Sequence, residues 1–314
     1  MVSSVAQLAR VVFRSSRVSN EHMNAGGRKR FGQGARHLII HADDAGMCES
    51  VNRATIDAIE NGVVSSCSIL VPCPGFDEFA EYARDQPGKD FGVHLTLNSE
   101  LDSFRWRPLS QPGDVPSLID GEGYFWHTTK QVVRHVETNE AEVELRAQIE
   151  QARDAGISIS HLDTHMFSLL VRADLSQLYL RLGQEYDLPI LCARYNDEED
   201  RHSHPGLTEL QPELGRSGGH PVVDYLEWKN YFVDPARKRD YFLRVLESLS
   251  PGITEITIHC ADNDPERYSR LPHAAAARQA DREFFTSSEA ADCIDQRNVN
   301  VTDWGRLRLA LKGE

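Results

Sequence analysis

Three short segments of the sequence carry side chains of the types that bind metal ions and transfer protons. They are Asp43-Asp44, His94 and His161-Leu-Asp163-Thr-His165. His161, Asp163 and His165 are spaced two residues apart, so an extended chain would direct all three to one face. Burying three ionisable groups on one face is costly unless they have partners, and a bound cation would remove much of that cost. The spacing therefore favours a metal site.

One carboxylate and two neutral imidazoles suit a divalent cation that keeps an open position for water. We expect Asp44, His94 and His165 to be the ligands. The spacing alone leaves open whether His161 replaces or supplements His165. Such an ion would lower the pKa of a bound water molecule and polarise a substrate carbonyl.

Two further residues are candidates for proton transfer. Asp43 is next to Asp44 in sequence but should point in a different direction, which leaves its carboxylate available to accept a proton from that water. His259 ends a late apolar run and is a candidate to protonate the leaving group. Taken singly, an Asp-Asp pair is usually a loop or a helix cap, and a lone histidine is usually a hydrogen-bonded core residue. Their joint occurrence at strand ends favours catalysis.

The elements that position these residues alternate between short apolar runs and amphipathic segments. The predicted strands cover 37–42, 66–71, 91–97, 157–163, 189–193, 253–258 and 299–301. The predicted helices cover 50–62, 76–84, 140–155, 174–186, 235–249 and 274–285. Repeated strand–helix units favour a parallel sheet, either open or closed as a barrel, whose carboxyl-end loops assemble the site.

Two irregular stretches, 98–130 and 196–228, interrupt this alternation, and we interpret them as long lid or binding loops. Their aromatic residues either stack on sugar rings or pack the lid onto the body of the protein. The histidines of the second stretch, which are His202, His204 and His220, are left outside the predicted catalytic set.

The overall composition is that of a folded globular protein. The chain has 314 residues, of which 40% are hydrophobic and 26% charged. No apolar run approaches the roughly 18 residues that suggest a membrane span. The formal net charge of -14 argues against a broad nucleic-acid-binding surface. The six cysteines form no C-x-x-C pair, so we expect reduced thiols and a soluble, cytoplasmic protein that binds neither nucleic acid nor membrane.

Residues 1–36 differ from the rest of the chain in charge. They contain seven basic residues and one acid, Glu21, so their net charge is +6 and the remainder carries -20. A basic, acid-poor leader is typical of an organellar transit peptide. A disordered extension, or an overlong start with Met23 as the true first residue, explains it better. We expect a disordered leader over 1–36, with targeting left open, and a single catalytic β/α domain over 37–314.

Several motifs together resemble the YdjC/ChbG family of carbohydrate deacetylases. They are His41-Ala-Asp43-Asp44-Ala-Gly46, Gly92-Val-His94-Leu-Thr-Leu97 and Ser160-His161-Leu-Asp163-Thr-His165, with support from Ile258-His259 and Arg282-Glu-Phe-Phe-Thr-Ser-Ser288. The resemblance implies an irregular TIM-like (β/α) barrel with long lid loops and a divalent metal ion, commonly Mg²⁺ or Zn²⁺. It also implies removal of acetyl groups from N-acetylated sugars, with chitooligosaccharides as one known substrate class.

The resemblance also assigns roles to individual residues. Asp44, His94 and His165 match the metal ligands of the family. Asp43 matches the proposed base, and His259 matches a late catalytic histidine. The chain departs from the family at Met166-Phe-Ser168, where many relatives have more histidines.

Three functions remain open from the sequence. The first is deacetylation of an N-acetylated sugar or oligosaccharide, and the second is metal-dependent hydrolysis of another ester or amide. The third is carbohydrate binding without catalysis, which ranks last because a binding protein has little need for Asp43 beside three metal ligands. The oligomeric state is open as well, with a homodimer as one candidate.

Overall fold

The computed structural model describes residues 34–193, 221–262 and 275–312. The strands in these ranges are β1 (Arg36–Ala45), β2 (Ser66–Ile69), β3 (Phe91–Leu95), β4 (Ile159–Thr164), β5 (Tyr225–Glu227), β6 (Gly252–His259) and β7 (Val299–Val301). The α-helices are α1 (Glu49–Asn61), α2 (Phe76–Arg84), α3 (Thr129–His135), α4 (Thr138–Asp154), α5 (Ala173–Glu185), α6 (Lys238–Ser248), α7 (Ala275–Phe285), α8 (Ser288–Gln296) and α9 (Trp304–Lys312). Short 3₁₀ turns cover Pro116–Leu118, His165–Phe167, Lys229–Phe232 and Pro235–Arg237.

The strands form one parallel sheet in the order β4-β3-β2-β1-β6-β5, and β7 pairs with the first residues of β1. This confirms the predicted parallel α/β architecture. Two isolated parallel bridges extend this arrangement beyond the outer strands: Leu162 of β4 pairs with Ile190, and Ala193 pairs with Val223, which lies two residues before β5. An irregular barrel requires pairing of this kind.

The predicted strand at 189–193 was too long, because only those bridges form there. Pro189 has no N–H to donate, and the segment changes partner from β4 to residue 223 within a few residues. Helices α3, α8 and α9 were not predicted. α3 begins at a capping box, in which the side chains of Thr128 and Gln131 each bond the other's backbone N–H. Ser287 is the N-cap of α8, and its hydroxyl accepts a hydrogen bond from the N–H of Ala290.

The alternation of β1 explains how a polar site sits in an apolar fold. Leu38, Ile40 and Ala42 are buried in the main hydrophobic core. Ile39 instead belongs to a second apolar cluster with Trp304 and Leu307 of α9. Because successive side chains alternate between faces, His41 and Asp43 lie on the face of Ile39. This face therefore changes from apolar to polar toward the carboxyl end of the strand.

The long stretch at 98–130 is packed against the body of the protein. Trp106 and Phe125 are buried, which favours the packing interpretation of these aromatic residues. Trp126 stacks on His135 with 4.2 Å between ring centroids, and its indole N–H donates to the carbonyl of Ser117. The three histidines His202, His204 and His220 lie outside the described residues, as does most of the stretch at 196–228. Among the described residues, no helix combines the length and apolarity needed to cross a bilayer.

Gly92 tests how tightly the polar face is packed. A Cβ atom at this position would collide with the ring of His161, which is fully buried and stacks on Trp304. We expect Gly92→Ala to lower the free energy of unfolding by about 1–3 kcal/mol, as overpacking of a buried site usually does.

The measurement is urea denaturation, with Gly113→Ala as the matched control because a Cβ atom at Gly113 meets nothing within 4 Å. The control should change stability by less than about 0.5 kcal/mol. Equal stability of the two variants would contradict the packing described here.

Candidate metal centre

The two aspartates at the end of β1 point in different directions because the chain turns at the second of them. Asp44 has φ 70, a left-handed conformation that a non-glycine residue rarely adopts. Such a conformation costs on the order of 1–3 kcal/mol and persists where the surrounding structure enforces it. Here the side chain of Asn52 accepts from the N–H of Gly46 at 2.7 Å and donates to the carbonyl of Gly75 at 2.8 Å.

The turn brings Asp44 to two histidines from different strands. Its Oδ1 lies 3.5 Å from Nε2 of His94 at the end of β3 and 3.2 Å from Nδ1 of His165 just after β4. All three side chains are buried, and one ligand atom from each lies within 4.8 Å of the others. The structure thus groups His165, and not His161, with Asp44 and His94. That these residues bind a metal ion stays a prediction.

The remaining ring nitrogen of each histidine is held by a carboxylate. His94 Nδ1 is 2.8 Å from Oδ1 of Asp163, and His165 Nε2 is 2.8 Å from Oε2 of Glu100. Carboxylates in this position orient a metal-binding histidine and fix which nitrogen faces the ion. The arrangement leaves Nε2 of His94 and Nδ1 of His165 directed toward Asp44.

Asp44 also has an unusual hydrogen-bonding state. Its Oδ2 accepts a 2.6 Å hydrogen bond from Nη2 of Arg278. Its solvent-inaccessible Oδ1 has no well-aligned hydrogen-bond donor in the described part of the chain and faces Nδ1 of His165 at 3.2 Å. Burial alone would raise the pKa of Asp44, but Arg278 and His165 hold it well below the usual range. A buried, ionised oxygen whose hydrogen bonding is incomplete is costly. The donor set therefore fits a divalent cation.

His165 would have to lose a proton before binding a cation. Burial opposes its charge, but Glu100 and Asp44 on either side raise the pKa of the imidazole to about 10. A cation at Nδ1 would replace that proton, so binding should strengthen as the pH rises.

Asp43 lies beside this group with a partly exposed side chain. Its Oδ2 is 3.7 Å from Nε2 of His94 and 3.8 Å from Nε2 of His259. Burial raises the pKa of Asp43 to about 6, against the opposing effect of the neighbouring histidines. A carboxyl that titrates near neutral pH suits a general base.

His259 faces Asp43 from the end of β6. Burial lowers the pKa of its imidazole to about 3, so the ring is neutral. The backbone N–H of His259 donates to Oδ2 of Asp281, whose other oxygen accepts from the buried Lys238 ammonium at 2.6 Å. This pair holds the end of β6 against α7. A neutral His259 can act as an acid only after it receives a proton.

A second group, formed by His41, His161 and Asp163, also has ligand atoms close to one another. The nitrogens of His41 already contact Ser66 and Asp163, at 2.8 and 3.2 Å. The ring of His161 stacks on that of Trp304, and its Nδ1 lies 2.8 Å from the hydroxyl of Ser160. We interpret this group as support beneath the site.

Sequence reasoning missed Glu100, Arg278 and the support role of His41. Glu100 lies in an irregular stretch and Arg278 within a long amphipathic helix, where charged residues usually face solvent. Only the folded chain brings these residues, 65 and 234 positions away from their partners, to the site.

Comparisons with known proteins agree with this architecture. A carbohydrate deacetylase from Brevibacillus brevis is 35% identical over 271 residues, which is 86% of this chain and 99% of the relative. One from Thermoanaerobacter pseudethanolicus is 26% identical over 273 residues, 87% of this chain and 100% of the relative.

A crystal structure from Enterococcus faecalis V583, provisionally described as a cellobiose-phosphate cleavage protein, aligns with a TM-score of 0.74 at 29% identity. The alignment covers 87% of this chain and 99% of that structure. The model of the YdjC-like protein family matches residues 37–296. The chain therefore belongs to the YdjC-like protein family.

Proposed function

We propose that this protein removes acetyl groups from N-acetylated carbohydrates, with a divalent cation held by Asp44, His94 and His165. The observation that carries the proposal is the grouping of these three side chains beside Asp43 and His259. The relatives named as carbohydrate deacetylases support the type of substrate. Release of acetate from an acetamide leaves a free amino sugar.

Asp44 Oδ1, His94 Nε2 and His165 Nδ1 are the atoms that would hold the cation. Two imidazole nitrogens and one carboxylate favour Zn²⁺ over Mg²⁺, which prefers oxygen ligands. When bound, the cation would lower the pKa of a water molecule and polarise the acetamide carbonyl. Arg278 keeps Asp44 ionised, while Asp163 and Glu100 keep the two histidines in the required orientation.

Asp43 is the proposed proton acceptor. Its carboxylate lies 3.7 Å from Nε2 of His94, next to the ligand atoms but in no hydrogen bond with them. A proton taken from the attacking water would reside on Oδ2 of Asp43. The raised pKa of Asp43, about 6, makes it a stronger base than an exposed aspartate.

His259 is the proposed proton donor to the leaving amine. Since its low pKa keeps the free imidazole neutral, the proton must first arrive from Asp43, whose Oδ2 is 3.8 Å from Nε2 of His259. The same proton would thus move from water to Asp43, then to His259 and finally to the amine nitrogen. An acetamide needs this donor because an unprotonated amine anion is a very poor leaving group.

The main test separates proton transfer from metal binding. Asp43→Asn should reduce acetate release about 100- to 10,000-fold, the usual contribution of a general base, while the Zn²⁺ content stays near that of the unmutated protein. His94→Ala should lose both acetate release and bound Zn²⁺, because it removes a proposed metal ligand. The measurements are acetate release from N-acetylated mono- and oligosaccharides and metal content by mass spectrometry.

Glu81→Gln, at an exposed position of α2, is the control for loss of one carboxylate. Retention of Zn²⁺ without acetate release from any N-acetylated sugar would indicate a metallohydrolase of another bond. No binding of any divalent cation would contradict the proposal and favour carbohydrate binding without catalysis.

The role of His259 is tested by changing the leaving group. A nitrophenyl acetate ester releases an anion that needs no proton, whereas an acetamide releases an amine that does. His259→Ala should therefore lower kcat for the acetamide about 100-fold or more and for the ester less than about 10-fold.

The matched control is His127→Ala, since His127 contacts Asp102 in the stretch at 98–130 and not the proposed site. It should leave both rates unchanged. An equal loss of amide and ester hydrolysis in His259→Ala would argue against its role as the acid.

A further inference from the structure

A small cavity lies at the opposite end of the sheet from the proposed metal centre. It has a volume of about 190 Å³ at the amino ends of β2 and β3, and its lining includes Ser66, Asp90 and Asp303. Asp90 is only 8% exposed, and it accepts hydrogen bonds from the N–H of Gly305 at 2.8 Å and from the hydroxyl of Ser66 at 2.5 Å. So short an O–H···O distance is typical of an ionised acceptor. Burial raises the pKa of Asp90 to about 6, so the carboxyl is an anion at neutral pH.

Ser66 connects this anion to His41. The hydroxyl oxygen of Ser66 lies 2.8 Å from Nδ1 of His41, and both residues are buried. A serine hydroxyl has a single proton, and that of Ser66 is donated to Asp90. Toward His41 the same oxygen can therefore only accept, which requires a proton on Nδ1 of His41.

The other ring nitrogen of His41 is surrounded by acceptors as well. Its Nε2 lies 3.1 Å from the hydroxyl of Ser68, 3.2 Å from Oδ2 of Asp163 and 3.4 Å from Oδ1 of Asp43. Ser68 donates its own proton to Asp163 at 2.7 Å, so it too can only accept from Nε2. An imidazole that donates from both nitrogens is a cation. Burial opposes this charge, but the hydrogen bond to Asp163 and the nearby carboxylates raise the pKa of His41 to about 9.

The hydrogen bonds continue from His41 to a proposed metal ligand. Oδ1 of Asp163 lies 2.8 Å from Nδ1 of His94, which leaves Nε2 of His94 for a cation. One series of hydrogen bonds between buried side chains thus joins Asp90, Ser66, His41, Asp163 and His94. Hydrogen bonds in such a buried network depend on one another in strength and direction. The charge of Asp90 therefore affects the proton positions along the whole series.

We propose that Asp90 is a remote positioning residue of the metal centre. Its carboxylate fixes the direction of the Ser66 hydroxyl and so keeps His41 a cation, and His41 in turn supports the Asp163 carboxylate that orients His94. This inference rests on the proposed function, from which His94 takes its role as a metal ligand. It adds a residue that acts on this ligand from the other end of the sheet.

Replacing Asp90 by asparagine should reverse the hydrogen bonds without changing the size of the side chain. The N–H of Gly305 needs an acceptor, so the amide oxygen takes the place of Oδ2 and the amide NH₂ group faces Ser66. Ser66 then accepts from the amide and donates to Nδ1 of His41. That nitrogen must release its proton to solvent, which leaves His41 neutral with its remaining proton on Nε2.

Nuclear magnetic resonance of the imidazole nitrogens tests this directly, on metal-free protein labelled with ¹⁵N-histidine and with the His41 signals assigned by their loss in His41→Gln. In the unmutated protein at neutral pH both nitrogens of His41 should carry protons, and in Asp90→Asn only Nε2 should. The matched control is Asp303→Asn, which makes the same change in the same cavity. The Asp303 carboxylate accepts from the N–H of Arg306, so His41 should keep both protons in this control. The experiment needs neither metal nor turnover.

Zn²⁺ affinity, measured by competition with a chelator, tests the effect on the metal centre. Asp90→Asn should weaken Zn²⁺ binding about three- to tenfold, less than the roughly 10- to 100-fold usual for a direct partner of a ligand, because a neutral His41 supports Asp163 less strongly. In a Ser66→Ala background, where the connection is broken, Asp90→Asn should have no further effect.

Two results would overturn the proposal. They are a His41 that keeps both protons in Asp90→Asn, and losses of Zn²⁺ affinity that add in the double variant. Failure of the unmutated protein to bind Zn²⁺ would instead contradict the proposed function, and the His41 spectra would still report whether Asp90 controls the proton on Nδ1.

Discussion

Asp163 makes the interaction on which the rest of the site depends. Its Oδ1 lies 2.8 Å from Nδ1 of His94, and its Oδ2 accepts from the hydroxyl of Ser68 and contacts Nε2 of His41. Burial opposes ionisation, but the two histidines hold the pKa of this carboxyl well below its usual range. A single buried anion thereby orients the proposed ligand His94 and joins strands β1, β2, β3 and β4.

The protonated imidazole of His41 balances the negative charge of Asp163. The hydroxyl of Ser66 donates to Asp90 and must therefore accept from Nδ1 of His41, while Nε2 of His41 faces Asp163. Both ring nitrogens then carry protons, in agreement with a pKa raised to about 9 against the effect of burial. The alternation of β1 thus places the protonated imidazole of His41 under the site and Asp43 within it. Arg278 balances the charge of Asp44 from the opposite side.

The residue types and strand periodicity were enough to predict the parallel sheet and to choose Asp43, His94 and His259, whose side chains lie close together in the structure. They predict these features because strand ends converge in any parallel α/β fold. They were insufficient for Glu100, which reaches His165 only through the packing of an irregular stretch. For a related reason, the sequence left open whether the aromatic residues of 98–130 stack on sugar rings or pack the stretch onto the body of the protein, and burial of Trp106 favours packing.

The central claim is that Asp44, His94 and His165 bind a divalent cation. Anomalous diffraction from crystals of the Zn²⁺-loaded protein, recorded on both sides of the zinc absorption edge, tests it most directly. We expect one strong peak at about 2.0–2.2 Å from Oδ1 of Asp44, Nε2 of His94 and Nδ1 of His165. A peak bounded by His41 and Asp163 instead, or no ordered zinc at saturating concentration, would contradict it.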